Sequence, residues 1–335
     1  MSELRQNLIS DDWVLVAPGR ASRPKFLDEK KPKRKPSPKK DCLFEDLQKS
    51  GNWPPIIAYP NEKNWEAVMI PNKFPALTHE KGCAVDFKRG PYSVKSGVGQ
   101  HDLIVTRDHT KNFADLAPGK AVRVLRILQE RYKMVQKDPC NVYVSAFENW
   151  GPTAGASIYH PHYQVLTLPI IPPHILRSLK GGEVYFKKHG ACARCLMIKD
   201  DLKEPIRLVE ENKYAIAATP FASKQPFEIR ILPQRHTSHF ARTSSAELAG
   251  VAALLQSVLR RVRKYLNDPD FNFFIHSAPF EKPGEKKDRY NFHHWHIEVI
   301  PKISIMAGFE LSTGIDINVV EPEKAAAILR GERPR

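Results

Sequence analysis

The chain has 335 residues, of which 41% are hydrophobic, and carries a net charge of +15. That length suits one large domain or two of medium size, and it supports a sizeable core. No run of about 18 apolar residues is present, which excludes a membrane-spanning helix, and the polar start MSELRQNLISDDW lacks the apolar centre of a signal peptide, so a cytoplasmic protein is expected.

Short apolar runs bounded by turn formers predict strands at Asp12–Pro18, Trp65–Pro71, His101–Thr106 and Asn141–Phe147. Between the first two lies DEKKPKRKPSPKK, Asp28 to Lys40, with seven basic residues among prolines. Like charges repel and proline blocks regular pairing, so this stretch reads as a solvated linker; the functional alternative is contact with nucleic acid or another anionic surface. Ala114–Gln136 repeats Val122, Leu125, Ile127, Leu128 and Tyr132 at helical spacing and predicts an amphipathic helix. The plan then recurs. Strands are predicted at Tyr214–Thr219 and Phe227–Leu232, a helix over Ser244–Tyr265 with Glu247 at a capping-box position, and strands at Asn272–His276 and His296–Pro301.

The motifs recur in the same order as the elements. Cys42-Leu-Phe-Glu45 is matched by Cys192-Ala-Arg-Cys195. His109-Thr110 before the first helix is matched by His236-Thr237 before the second, and His160-Pro-His162-Tyr-Gln164 by His294-Trp-His296-Ile-Glu298. The chain therefore reads as a duplicated α+β unit, with halves at 1–175 and 176–335.

Two histidines spaced i, i+2 share one face of a strand. Zinc takes four ligands from thiolate, imidazole and carboxylate, so Cys192, Cys195, His236 and His294 form one candidate set, with His239 a rival to His236. Cys42, Glu45, His109 and His160 form the other, with Asp46 a rival to Glu45. The alternative for Cys42 is a small buried hydrophobe. If His160 serves a metal, His162 is left over. A neutral imidazole attacks phosphorus near pH 7 if one nitrogen is free and the other is held, and a backbone carbonyl of the His-Pro-His segment could hold it. Gln164 follows on the same face with an amide for a phosphoryl oxygen, and the glycines and Ser157 of the approach could cradle phosphate.

The segment FENWGPTAGASIYHPHYQ resembles the active site of galactose-1-phosphate uridylyltransferases, members of the histidine-triad superfamily. DDWVLVAPGRASRP, IPNKFPAL and AGFELSTG are similar to further segments of that family, in order, over nearly the whole chain. The resemblance implies two tandem histidine-triad-like halves, each an antiparallel sheet with packed helices, assembled as a homodimer. It implies ping-pong transfer in which His162 attacks the α-phosphorus of a nucleotide sugar, Gln164 stabilises the phosphoryl group, and a hexose 1-phosphate accepts the nucleotide. Arg20 and Arg23 would bind phosphate, Asn72 and Phe74 the nucleoside; Asn149, Ser157 and Glu310 complete the implied substrate residues. The first metal motif departs from the common Cys-x-x-Cys, and Ser304 stands where some members carry a lysine. Cys192, Cys195 and KQPFEIRILPQRHTSHF look like the branch that includes ADP-glucose phosphorylase, where inorganic phosphate is the acceptor. A zinc-containing nucleic-acid-binding protein is the reading from another class; its Cys-to-His spacing is too long for a compact finger.

Overall fold

A computed structural model describes residues 1–22, 36–79, 82–281, 285 and 288–332. The basic stretch from Asp28 to Lys35 and the expected phosphate ligand Arg23 lie outside them. The first half supplies strands β1 (Glu3–Gln6), β2 (Trp13–Val16), β3 (Ile57–Tyr59), β4 (Ala67–Pro71), β5 (Asp86–Arg89), β6 (Tyr92–Lys95) and β7 (His101–Thr106). Helix α1 (Pro118–Val135) and strands β8 (Tyr143–Trp150) and β9 (His162–Leu168) follow. Then come α2 (Pro173–His189), α3 (Ala193–Lys203), β10 (Leu208–Glu211), β11 (Ala215–Ala218), β12 (Ile229–Pro233), α4 (Ser245–Tyr265), β13 (Phe271–His276) and β14 (His296–Pro301). The chain closes with α5 (Gly308–Thr313), β15 (Asp316–Asn318) and α6 (Pro322–Arg330).

Ten strands form one sheet in the order β10-β11-β12-β14-β13-β8-β9-β7-β4-β3, and its pairings are antiparallel. Read outward from the central β13–β8 pair, the two arms run β8-β9-β7-β4-β3 and β13-β14-β12-β11-β10, so the repeated motifs take equivalent strands. This α+β architecture follows from the sequence pattern. In β9 the alternation puts Tyr163 and Val165 in the core with Leu125, Leu128, Val251 and Leu255 of the two long helices, which leaves His162 and Gln164 for the opposite face.

Helices α1 and α4 pack on each other and on that core face, as their apolar spacing requires. Ser244 Oγ accepts from the Glu247 N–H at 3.3 Å while the Glu247 carboxylate accepts from the Ser244 N–H at 2.8 Å, completing the expected capping box. Three features depart from the sequence reading. Helices α2 and α3 fill a stretch for which no element is predicted, although α2 carries a buried stripe of Ile175, Leu179 and Gly182. The His-x-His motif enters the strand only at its second histidine, so His160 lies before β9. A disulfide joins Cys83 to Cys140, two cysteines that no motif had singled out.

Candidate active site

The face of the first arm opposite α1 is covered by residues 42–53, whose Phe44 and Leu47 pack with Val68, Ile70, Leu103 and Val105. This layer brings the first metal motif down onto the start of β9. Cys42 Sγ lies 3.5 Å from His160 Nδ1, and Glu45 Oε1 lies 2.8 Å from His109 Nδ1 and 3.6 Å from His160 Nδ1. The far nitrogen of each ring faces a backbone carbonyl: His160 Nε2 that of Thr106 at 2.7 Å, and His109 Nε2 that of Ser37 at 2.8 Å. A carbonyl can only accept, so each ring carries its proton on Nε2 and turns the Nδ1 lone pair inward. The ligand atoms of Cys42, Glu45, His109 and His160 all lie within 4.8 Å of one another. Nitrogen, oxygen and sulfur atoms that converge this closely fit a cation, which would displace the proton that burial keeps on the Cys42 thiol, and the carbonyl partners supply the orientation that metal-binding histidines need. Asp46, the rival to Glu45, is turned to Lys49 at 3.1 Å. Burial pushes the His160 imidazole down to about 4, which keeps it neutral as a ligand must be.

In the second arm Cys192, Cys195, His236 and His294 converge by the same criterion. Cys195 Sγ lies 3.3 Å from His236 Nδ1 and 3.5 Å from His294 Nδ1, and His236 Nε2 donates to the Asn291 carbonyl at 2.8 Å. The Cys192 thiol is pulled far below its ordinary value, first by the hydrogen bond from Cys195 and then by the two histidines. His239 is not in this set; its Nε2 lies 3.6 Å from Glu281.

His162 is 6% exposed, and its Nδ1 lies 3.0 Å from the carbonyl of His160. The chain thus holds one nitrogen with its own backbone and leaves Nε2 without a partner among the described residues. Burial lowers the pKa of this imidazole, so the lone pair is present at neutral pH. The ring of Phe44 stands edge-on at 5.3 Å from it and at 5.7 Å from His160, so it packs against both histidines.

Gln164 is oriented by a residue the sequence reading passed over. The Ala76 N–H donates to His101 Nδ1 at 3.2 Å, which puts the His101 proton on Nε2. His101 Nε2 lies 3.0 Å from Gln164 Oε1 and donates to it, so the Gln164 carbonyl is occupied and its NH2 remains available. Asn72 lies beside the same ring, its Nδ2 3.1 Å from His101 Nε2, while its Oδ1 accepts the Phe74 N–H at 3.0 Å. Phe74 itself is 78% exposed.

The loop before the His-Pro-His motif turns on Gly151 and Gly155, with φ of 87° and 88°. Asp270 anchors it: its Oδ2 accepts from the Thr153 N–H at 2.7 Å and from the Thr153 hydroxyl at 2.6 Å. Asn149 Oδ1 accepts from Asn272 Nδ2 at 2.8 Å, which turns the Asn149 NH2 away from β13. Arg20 and Ser157 are exposed, and Glu310 caps the backbone of Ala307 at 3.0 Å in α5. None of these three has a described contact with His162 or Gln164. Ser304 Oγ donates to Gln225 at 2.7 Å. Phe44, His101 and Asp270 are the site residues missed from the sequence. Only His101 left a signal there, as an imidazole opening a strand that runs on through Leu103, Ile104 and Val105.

At the equivalent point of the second arm, His296 Nδ1 lies 3.1 Å from the His294 carbonyl, the same arrangement as at His162. The surroundings differ. His276 stacks on His296 at 4.7 Å, and Glu298 replaces Gln164 and lies 3.3 Å from His276 Nε2.

Residues 1–172 match the family described as galactose-1-phosphate uridyl transferase, N-terminal domain, and residues 92–330 match a domain of unknown function, DUF4921. The chain is 31% identical to an ADP-glucose phosphorylase of Arabidopsis thaliana over 98% of its length and 92% of that protein's. It is 27% identical to a galactose-1-phosphate uridylyltransferase of Thermotoga maritima, covering 98% of both chains. The crystal structure of an Arabidopsis thaliana ADP-glucose phosphorylase with bound ADP-glucose superposes with a TM-score of 0.82 at 28% identity, covering the whole of both chains.

Proposed function

This chain belongs to the galactose-1-phosphate uridylyltransferase family, and on that footing we propose that it is a nucleotidyltransferase working through a nucleotidyl-histidine at His162. The Nε2 lone pair attacks the α-phosphorus of a nucleotide sugar. The bond from that phosphorus to the bridging oxygen breaks, and the sugar 1-phosphate leaves with the electron pair. A phosphate oxygen of the acceptor then attacks the same phosphorus, the N–P bond breaks, and the imidazole returns to its starting form. Gln164 NH2 meets the charge that develops on the phosphoryl oxygens, because His101 holds its carbonyl turned away. Asn149 and Ser157 flank the phosphoryl approach, Asn72 and Phe74 take the nucleoside, and Arg20, Arg23 and Glu310 serve the remaining substrate contacts.

The observation that carries this reading is the 3.0 Å contact between His162 Nδ1 and the His160 carbonyl, which leaves a neutral, singly held imidazole beside an oriented amide. Uridylyl transfer from UDP-glucose to a hexose 1-phosphate, such as galactose 1-phosphate, is the activity we assign. A second acceptor, inorganic phosphate with ADP-glucose as donor, is favoured by the 31% identity to the plant phosphorylase.

Zinc is the metal we assign to the two four-residue sets, where it would bind in closed coordination and act as a structural cross-link. In the first set it would tie residues 42–45 to the chain entering β9. We further take residues 1–175 and 176–335 as two units, and the protein as a cytoplasmic homodimer.

The test is incubation with UDP-glucose or ADP-glucose labelled at the α-phosphorus, without acceptor. One label per chain should appear, absent in His162→Ala. Galactose 1-phosphate discharging it assigns the transferase, and phosphate discharging it assigns the phosphorylase. No label from either donor would remove the proposal.

A further inference from the structure

The register of the sheet makes the two arms comparable residue by residue. Gln164 lies opposite Leu103, which lies opposite Ile70; Glu298 lies opposite Arg230, which lies opposite Ala218. The chain leaving β11, Thr219–Ala222, therefore stands where Pro71–Phe74 leave β4. Each segment carries an exposed phenylalanine, Phe74 at 78% and Phe221 at 50%. In the first arm this segment lies beside residues 46–52, where Lys73 Nζ donates to the Ser50 carbonyl at 3.1 Å. In the second arm the corresponding space lies between Thr219–Ala222 and α3, and it is a cavity of about 490 Å³.

We propose that the second arm holds a second nucleotide site, which binds a nucleoside 5′-phosphate and does not transfer it. The cavity volume is in the range that accepts small-molecule ligands, about 300–1,000 Å³. Its apolar walls come from Leu8, Met197, Phe221 and Leu232, and Asp201, which accepts from Arg207 at 2.9 Å, lines it as a further acceptor for ribose hydroxyls. A smaller pocket of about 40 Å³ adjoins it, and Asn7 and Arg230 line both. This pocket contains His296, the counterpart of His162, with Arg194 and His293.

Arg194 is the residue that asks for an anion. It is 7% exposed, and among the described residues it makes one long hydrogen bond, 3.3 Å to Ser178 Oγ, and pairs with no carboxylate. The opposite charges nearest in effect, Cys192 and Glu298, make no ion pair with it, and a buried guanidinium without a contacting anion is costly to desolvate, a cost that a phosphate beside it would relieve. His293 Nε2 is likewise buried without a partner. Two guanidinium groups in one pocket also weigh against a cation at His276, His296 and Glu298, which otherwise resemble a ligand set.

The same comparison explains why this site would bind and not react. Glu298 stands where Gln164 puts an amide donor, so the donor that would meet charge developing on a phosphoryl oxygen is missing. Arg230 cannot make up the loss, because its guanidinium is engaged by Glu228 at 2.8 Å with Glu298 at 3.8 Å. The stacked ring of His276 covers one face of His296.

The experiment counts nucleotides. AMP and UMP have no leaving group on phosphorus, so they occupy sites without labelling His162, and the count is independent of whether transfer occurs. Calorimetric titration of the full-length, metal-replete chain is expected to give two equivalents per chain for at least one of them. Phe221→Ala and Met197→Trp, the second filling the cavity, should each reduce this to one equivalent. Each should keep the single His162 label obtained from a nucleotide sugar. Circular dichroism checks their folding, and Phe221→Ala, at a half-exposed position, decides if the bulkier variant does not fold. Fewer than two equivalents with both nucleotides, or two equivalents retained in the variants, would overturn the proposal.

Discussion

Gly151→Ala isolates the contribution of the loop that leads into the nucleophile. Gly151 has φ 87° and ψ 162°, a region open essentially to glycine alone, and placing another residue there costs about 1–3 kcal/mol. A Cβ at this position would stand 2.2 Å from Asp270 Oδ1 and 2.3 Å from its Cγ, so the carboxylate must move. Moving it strains or breaks its two hydrogen bonds from Thr153, and bonds to a charged group are worth about 1.5–3 kcal/mol each. With partial recovery by solvent, the total loss is about 3–5 kcal/mol. Gly155→Ala is the control. It shares the positive φ of 88°, but its Cβ would meet nothing closer than Asn149 Nδ2 at 3.7 Å, so only a backbone penalty of about 1–2 kcal/mol applies. Urea denaturation gives the two losses, and the rate of label incorporation reports on the loop in the folded enzyme. Losses within about 0.5 kcal/mol of each other, the spread of an ordinary surface change, would refute the reasoning that Asp270 occupies the space Gly151 leaves.

His162→Ala should abolish nucleotidyl labelling, whereas His296→Ala should leave its rate largely intact, since His276 and Glu298 already deny His296 a reacting role; equal losses would contradict the asymmetry. Gln164→Ala should lower kcat about 100- to 1,000-fold, the usual effect of removing one donor to a developing oxyanion, with folding unchanged by circular dichroism. Cys195→Ala should remove metal from the second set alone, read as the loss of one equivalent by elemental analysis together with a lower Tm. Glu247, held by Arg235 at a value of about 2, lies below its unfolded carboxyl, so its contribution is present above about pH 4.5 and fades as pH falls through 2. Glu247→Gln should therefore destabilise the protein at pH 7, and the gap in urea midpoint from wild type should close toward pH 2.

The sequence determined the class of fold and which Cys, Glu and His residues cluster, because both rest on short-range regularities. The apolar run of β7 and the 3.6-residue stripe of α4 are visible in any window, and repeated Cys and His motifs need only be matched in order. The spacing at His160 and His162 also implied that one ring would anchor and the other act. Tertiary structure alone chose His236 over His239 and Glu45 over Asp46, because neighbours in sequence can face opposite ways once a loop is packed. It also packed Phe44 against both His160 and His162, set His101 to orient Gln164 from an adjacent strand, and put Asp270 under Gly151 from the other arm of the sheet. These contacts join residues far apart in the chain, and their partners are fixed by strand order and register, which no local pattern encodes.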